Sequence, residues 1–282
     1  MPELDDIAYS QDECVQAVRD YYHFLTQMYL DEDDFVHPPD DENGWPSINE
    51  ENLADVNKDE TVLNLLRHLP YVREDPTGGG EDDIQVAAFT NITNWPASAD
   101  LIAAGRYDGE ALRSATEGAT LCDILPSHVV GLTGGPPENN IFLIDTELGI
   151  ALWPECPGEV VKASRRSPLL PRDVRPVSDD PYDYEDDEEQ AEWRGDSTAW
   201  SIPHFFAMLE DHFRTLEFVP ITKTKIWVTH PYFHAEHRDE IVSAVRDIYR
   251  KHHWPELEQY DKAACQAEIH TFLQQNYPSF VE

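Results

Sequence analysis

Apolar and polar positions alternate along this chain in two rhythms, one near 3.6 and one near 2, and each predicts its own elements. Cys14, Val18, Tyr21, Tyr22, Leu25, Met28 and Tyr29 recur at steps of three and four. They place one aromatic-rich stripe on a helix of about four turns. The acids at 31–34 and Pro38-Pro39 end it, and a loop through Asn43-Gly44-Trp45-Pro46 follows. Val62, Leu65, Leu66 and Leu69 carry a second helix that Pro70 closes. Gly78-Gly79-Gly80 marks a turn, residues 84–89 read as a short strand, and 98–120 admits a helix around 110–116.

The β rhythm is clearest at Ile141-Phe142-Leu143-Ile144-Asp145 and Ile150-Ala151-Leu152-Trp153. Thr146-Glu147-Leu148-Gly149 joins them, and a glycine free to adopt positive φ there predicts a hairpin. Residues 129–132 offer a further strand before the turn at Gly134-Gly135-Pro136-Pro137. Later, Ser201 is placed to cap a helix with Pro203 in its first turn, followed by Phe205, Leu209, His212, Phe213 and Leu216 at helical spacing. A strand at 223–228 and helices at 236–251 and 261–276 complete the expected elements. The segment Ala17-Val18-Arg19-Asp20-Tyr21-Tyr22 echoes Ala244-Val245-Arg246-Asp247-Ile248-Tyr249, which a shared amphipathic pattern explains without a repeat.

Composition changes the picture at one place above all. Residues 157–198 hold a basic, proline-broken piece with Lys162, Arg165, Arg166, Arg172 and Arg175. An acidic run follows, with Asp179, Asp180, Asp183, Glu185, Asp186, Asp187, Glu188, Glu189 and Glu192. So few aliphatic side chains cannot offset the entropy of ordering, and the stretch is expected to be a disordered insertion. Its carboxylates are the candidate interaction surface. They lack the glycine and terminal glutamate of a calcium loop. Arg165-Arg166-Ser167-Pro168 has the form of a phosphorylation site.

Across 282 residues the net charge is −36, with 40% apolar and 11% aromatic residues. That charge repels phosphate backbones and anionic membrane surfaces, so neither nucleic acid nor membrane is an expected partner. The acidic amino terminus lacks an apolar signal region, no run is long enough to span a bilayer, and four scattered cysteines show no CxxC pair. A cytoplasmic or nuclear protein with free thiols is the expectation.

Chemistry-bearing motifs are sparse. There is no GxSxG elbow, no phosphate loop and no GxGxxG. No catalytic residue and no cofactor is therefore assigned. His230, His234 and His237 form the best metal candidate, since imidazoles suit zinc and related ions, but the spacing is not an established signature. Its ordinary counterpart is a solvated helix start. Four of the seven tryptophans precede proline, at Trp45, Trp95, Trp153 and Trp254, and are expected to rivet loops to the core. Trp153, Trp200 and Trp227 are candidates for an aromatic ligand pocket.

The succession of pieces resembles a known family. A helical start leads to Leu69-Pro70-Tyr71; then come Gly134-Gly135, the hairpin from Ile141 to Gly149 into a Trp-containing strand, and Trp200-Ser201-Ile202-Pro203-His204-Phe205-Phe206-Ala207-Met208-Leu209. This resembles the SUKH superfamily, which includes fungal cell-wall-synthesis regulators and bacterial toxin-immunity proteins. The likeness covers roughly residues 50–220, and residues 248–260 resemble a tail of filamentous-fungal proteins of this sort. The resemblance implies an α+β fold, a mixed β-sheet with helices packed mainly on one side. It also implies binding or scaffolding without catalysis. The expected organisation is a SUKH-like domain at 1–222 holding the insertion, and a strand-plus-two-helix extension at 223–282. Three functions stand beside one another: a regulatory or adaptor protein for basic protein partners, a metal-dependent hydrolase using the three histidines, and a small-molecule binder with an aromatic pocket.

Overall fold

The structure, a computed structural model, describes residues 3–39, 43–73, 83–135, 139–179, 182, 187–230 and 237–280. The stripe predicted at the start forms α1 (Gln11–Met28), with the Ser10 side chain accepting from the Glu13 backbone N–H at its amino end. A two-residue strand β1 (Phe35–Val36) follows, then α2 (Glu60–His68) and β2 (Tyr71–Val72), which pairs antiparallel with β1. The Asp59 carboxylate caps α2. Next come β3 (Gln85–Ala87), β4 (Thr90–Asn91), α3 (Trp95–Ala103) and α4 (Gly109–Glu117), so the 98–120 stretch holds the end of α3 and the whole of α4.

The central sheet is built from β5 (Val129–Gly131), β6 (Leu143–Asp145), β7 (Ile150–Pro154) and β8 (Ser197–Ser201) in the order 5-6-7-8. All its pairings are antiparallel, with Leu143 opposite Leu152 and Ala151 opposite Trp200. Gly149 turns the β6–β7 hairpin at φ +71°, where a Cβ would also strike the Ala8–Tyr9 backbone. Between β7 and β8 lie α5 (Gly158–Arg166) and α6 (Glu188–Gly195). The chain then runs through α7 (Ile202–Arg214), the hairpin β9 (Phe218–Thr222) and β10 (Lys225–Val228), α8 (Arg238–Lys251) and α9 (Lys262–Asn276).

Side chains alternate across the sheet as a period of two requires. Val130, Ile144, Ala151, Trp153 and Trp200 enter the main core, which reaches from Cys14 on α1 to Leu273 on α9. Val129, Leu143, Ile150, Leu152 and Ala199 face a second, smaller cluster with Leu4, Leu125 and Trp193. The fold is thus α+β with small antiparallel sheets. Its main sheet is buried on both faces, where helices mainly on one side and a mixed sheet were expected. The second cover is easy to miss in sequence, because it comes from an amino-terminal turn and an eight-residue helix inside an acidic run.

That second cover also corrects the reading of 157–198. The described part of this stretch contains α5 and α6, and Val160, Leu170, Val174, Ala191 and Trp193 are buried. The averaged composition hid these apolar side chains among the charges. Residues 180–181 and 183–186 lie outside the described residues. Ser201 occupies the predicted cap of α7, but its side chain makes no capping hydrogen bond. Position 222/223 falls at the turn joining β9 and β10, and the main core runs through both strands. No helix among the described residues is long and apolar enough to cross a membrane.

Candidate functional site

The candidate residues read from the sequence are described only in part. His230 and His237 are described, and His234 lies outside the described residues. His230 is half-buried at the end of β10, and burial lowers its pKa against the pull of Glu217 and Glu159. His237 is exposed and meets Glu240 at 3.2 Å. Among the described residues, no group of three or more His, Cys, Asp or Glu is placed to hold a metal ion.

In the acidic run, Asp179 accepts from the Leu4 backbone N–H at 2.6 Å and Asp187 caps α6 by accepting from Gln190 N–H at 3.0 Å. Glu188 is exposed on the first turn of α6. Glu189 also lies in α6, its side chain outside the described set, as are Asp180, Asp183, Glu185 and Asp186. Two of the carboxylates offered as a binding surface therefore serve the fold.

Trp153, Trp200 and Trp227 are all buried, each packed on a different ring: Phe142, Phe205 and Phe280 respectively. Burial and this packing give them a core role. The riveting expected of Trp-Pro pairs is visible in the indole N–H groups. Trp45 donates to Leu69 O, Trp95 to Gly131 O and Trp254 to Phe213 O.

One concavity gathers at His230. It measures about 330 Å³ and is walled by Glu159, Arg166, Ser167, Thr215, Glu217 and His230. Ser167 is not poised as a nucleophile here. Its hydroxyl donates to Asp211 at 2.6 Å and accepts from the Leu169 and Leu170 N–H groups, closing the turn after α5. Burial raises the Asp211 pKa against the Ser167 hydrogen bond.

A larger groove, about 540 Å³, lies between the β9–β10 hairpin and the α8–α9 pair. Its apolar wall comes from Ile221, Ile269, Leu273 and Phe280, and its polar rim from Thr222, Lys223, Thr224, Lys225 and His270. The hairpin is held rigidly. Gln85 N–H donates to Lys223 O at 3.0 Å, and Ile226 N–H donates to the Gln85 side chain at 2.7 Å. The Lys223 ammonium donates to Asp31 and Asp34, each at 2.7 Å, and Lys262 reaches Asp31 at 3.1 Å. Partial burial opposes the Lys223 charge, yet these carboxylates outweigh it and hold its pKa above the ordinary lysine value. The same two lysines hold Asp31 below the usual carboxylate range. Lys225 differs: its ammonium lies 4.7 Å over the Phe280 ring and meets no carboxylate among the described residues.

Sequence reading missed this groove, because its walls come from a hairpin, two helices and the end of α1 that are distant in the chain. One signal was present. Residues 1–222 carry 13 Lys and Arg against 47 Asp and Glu, a net −34, whereas residues 223–282 carry 7 against 9, a net −2. The groove is rimmed by lysines at the start of the nearly neutral part. No family model, no curated protein and no solved structure matches the chain.

Proposed function

We propose that the protein is a non-catalytic interaction domain with a SUKH-like core, and that its acidic body recognises a basic protein partner. The observation carrying this reading is the charge distribution: the net −34 is concentrated in residues 1–222. A field of one sign over most of a surface accelerates encounter with a cationic partner and rejects anionic ones. The passage from the β5–β8 meander straight into α7 supports the SUKH-like part. Asp145 and Gly149 stand at the hairpin positions that carry the resemblance.

The test must spare the fold. Deleting 157–198 would remove Val160, Trp193 and Arg194 from buried positions, so substitution is the better tool. Asp180, Asp183, Glu185, Asp186, Glu188 and Glu189 would be changed to their amides, leaving Asp179 and Asp187 in place. Affinity capture from native lysate would compare this variant with the wild type at low and high salt. Basic proteins held by the wild type, weakened in the variant and released by salt support the proposal. A partner set indifferent to both changes overturns it.

A further inference from the structure

We propose that the groove between the β9–β10 hairpin and the α8–α9 pair is a binding site for a small monoanionic amphiphile, a carboxylate with an acyl or aryl body. Its volume of about 540 Å³ is in the range of small-ligand sites. The two halves of such a ligand find matching surfaces. Ile221, Ile269, Leu273 and the Phe280 ring form one wall, where an apolar body leaves water. The Lys225 ammonium stands on the rim beside the hydroxyls of Thr222 and Thr224, ready to meet a carboxylate.

The charge of the ligand follows from how the rim lysines are used. Asp31 and Asp34 already neutralise Lys223, and they would repel a doubly charged head group placed beside it. Among the described residues Lys225 meets the Phe280 ring face and no carboxylate, which leaves its donors to an incoming anion. One rim cation with no carboxylate partner among the described residues calls for one negative charge. The surrounding chain allows this, since residues 223–282 are close to neutral on a strongly acidic protein. The same contrast disfavours a cationic ligand, for which the acidic body would be the better surface. This inference is independent of the basic-partner reading and concerns the opposite end of the charge distribution.

Titration calorimetry on the purified full chain tests it, with dodecanoate and 1-naphthoate as anionic probes and dodecyltrimethylammonium as the cationic control. The expected result is saturable one-to-one binding of at least one carboxylate and none of the control. Lys225→Gln keeps the side chain's length and removes its charge, and should weaken carboxylate binding about tenfold, the usual loss for a charge-assisted hydrogen bond. Phe280→Ala is a second variant at a partly exposed position, and should weaken the naphthoate or the acyl probe independently of charge. Failure of both carboxylates to bind overturns the proposal. So does equal binding of the cationic control, or a Lys225→Gln protein that binds as tightly as the wild type.

Discussion

Two ion pairs are buried near the β5 strand, and they are built differently. At the turn of the β6–β7 hairpin, Asp145 is fully buried and its Oδ2 accepts from the Arg194 guanidinium of α6. Its Oδ1 accepts from the Glu147 and Leu148 N–H groups, both at 2.9 Å, and Arg194 stacks on the Trp193 ring at 4.5 Å. At the end of α4, Glu117 meets Lys58 at 2.6 Å with both side chains almost wholly out of water. The Glu117 carboxylate is approached by Lys58 and the Gly131 backbone N–H, but without the well-aligned geometry of the Asp145 bonds. Burial raises the Glu117 pKa and lowers that of Lys58, so both are pushed toward their neutral forms. Burial is common to the two pairs. Hydrogen bonds to the remaining lone pairs distinguish them, and those decide whether a buried charge is tolerated.

The largest effect is expected at the satisfied pair. Arg194→Met leaves a buried carboxylate with two backbone donors and only the His128 ring, 4.0 Å away, in place of the guanidinium, and should cost about 3–5 kcal/mol of stability. It also removes the charged cover from the second cluster, so α6 should come away from the sheet. Urea unfolding followed by circular dichroism measures the cost, and hydrogen exchange of the α6 amides locates it. A loss below about 1 kcal/mol would remove the distinction drawn between the pairs.

The second pair should behave in the opposite sense. Replacing both partners, Lys58→Met with Glu117→Leu, exchanges two poorly bonded charges for packed apolar groups and should be neutral or stabilising by about 1–4 kcal/mol. The packing around it is tight: Gly131 on β5 approaches the Thr116 carbonyl so closely that no Cβ fits. Volume-conserving replacements are therefore required. The pH dependence sharpens the comparison. Glu117 has a raised folded value, so the folded chain keeps a proton that the unfolded chain loses, and its contribution falls as pH rises through that window. Lys58 has a lowered folded value, so its contribution grows as pH climbs from there to the ordinary lysine value. The advantage of the double variant should widen through the first window and narrow through the second, read from urea midpoints across pH.

What could be seen in the sequence follows the same division. The α1 stripe, the β6–β7 hairpin, α7 and α8 rest on local periodicity, and local periodicity survives translation into structure. The Asp145 hairpin was legible, but its cation was not: Arg194 is 49 positions away, inside a run whose average composition argued for disorder. Trp193 next to it is the single tryptophan of residues 157–198, and it packs with Val177 in the second cluster; that ring was the available clue. Strand β9 escaped because Pro220 interrupts its pattern. The groove at Lys223 and Lys225 needed tertiary structure altogether, since Tyr29, Ile221 and Leu273 meet there from three parts of the chain.

The smallest expected effect belongs to the exposed network that ties the hairpin to the end of α1. Asp31 holds Lys223 and Lys262 together, but its side chain is 58% exposed, so solvent screens each pair. Asp31→Asn should cost a few tenths to about 1 kcal/mol, and less in high salt. The sign of its pH dependence is the reverse of that of Glu117. Asp31 has a depressed folded value, so its contribution is present above the ordinary carboxylate value and is lost as pH falls through the depressed one. The variant should therefore lose its deficit on the acid side, while the Lys58–Glu117 double variant changes there in the other direction. A deficit for Asp31→Asn that persists unchanged at low pH would show that the hairpin is held by Gln85 and the core rather than by this carboxylate.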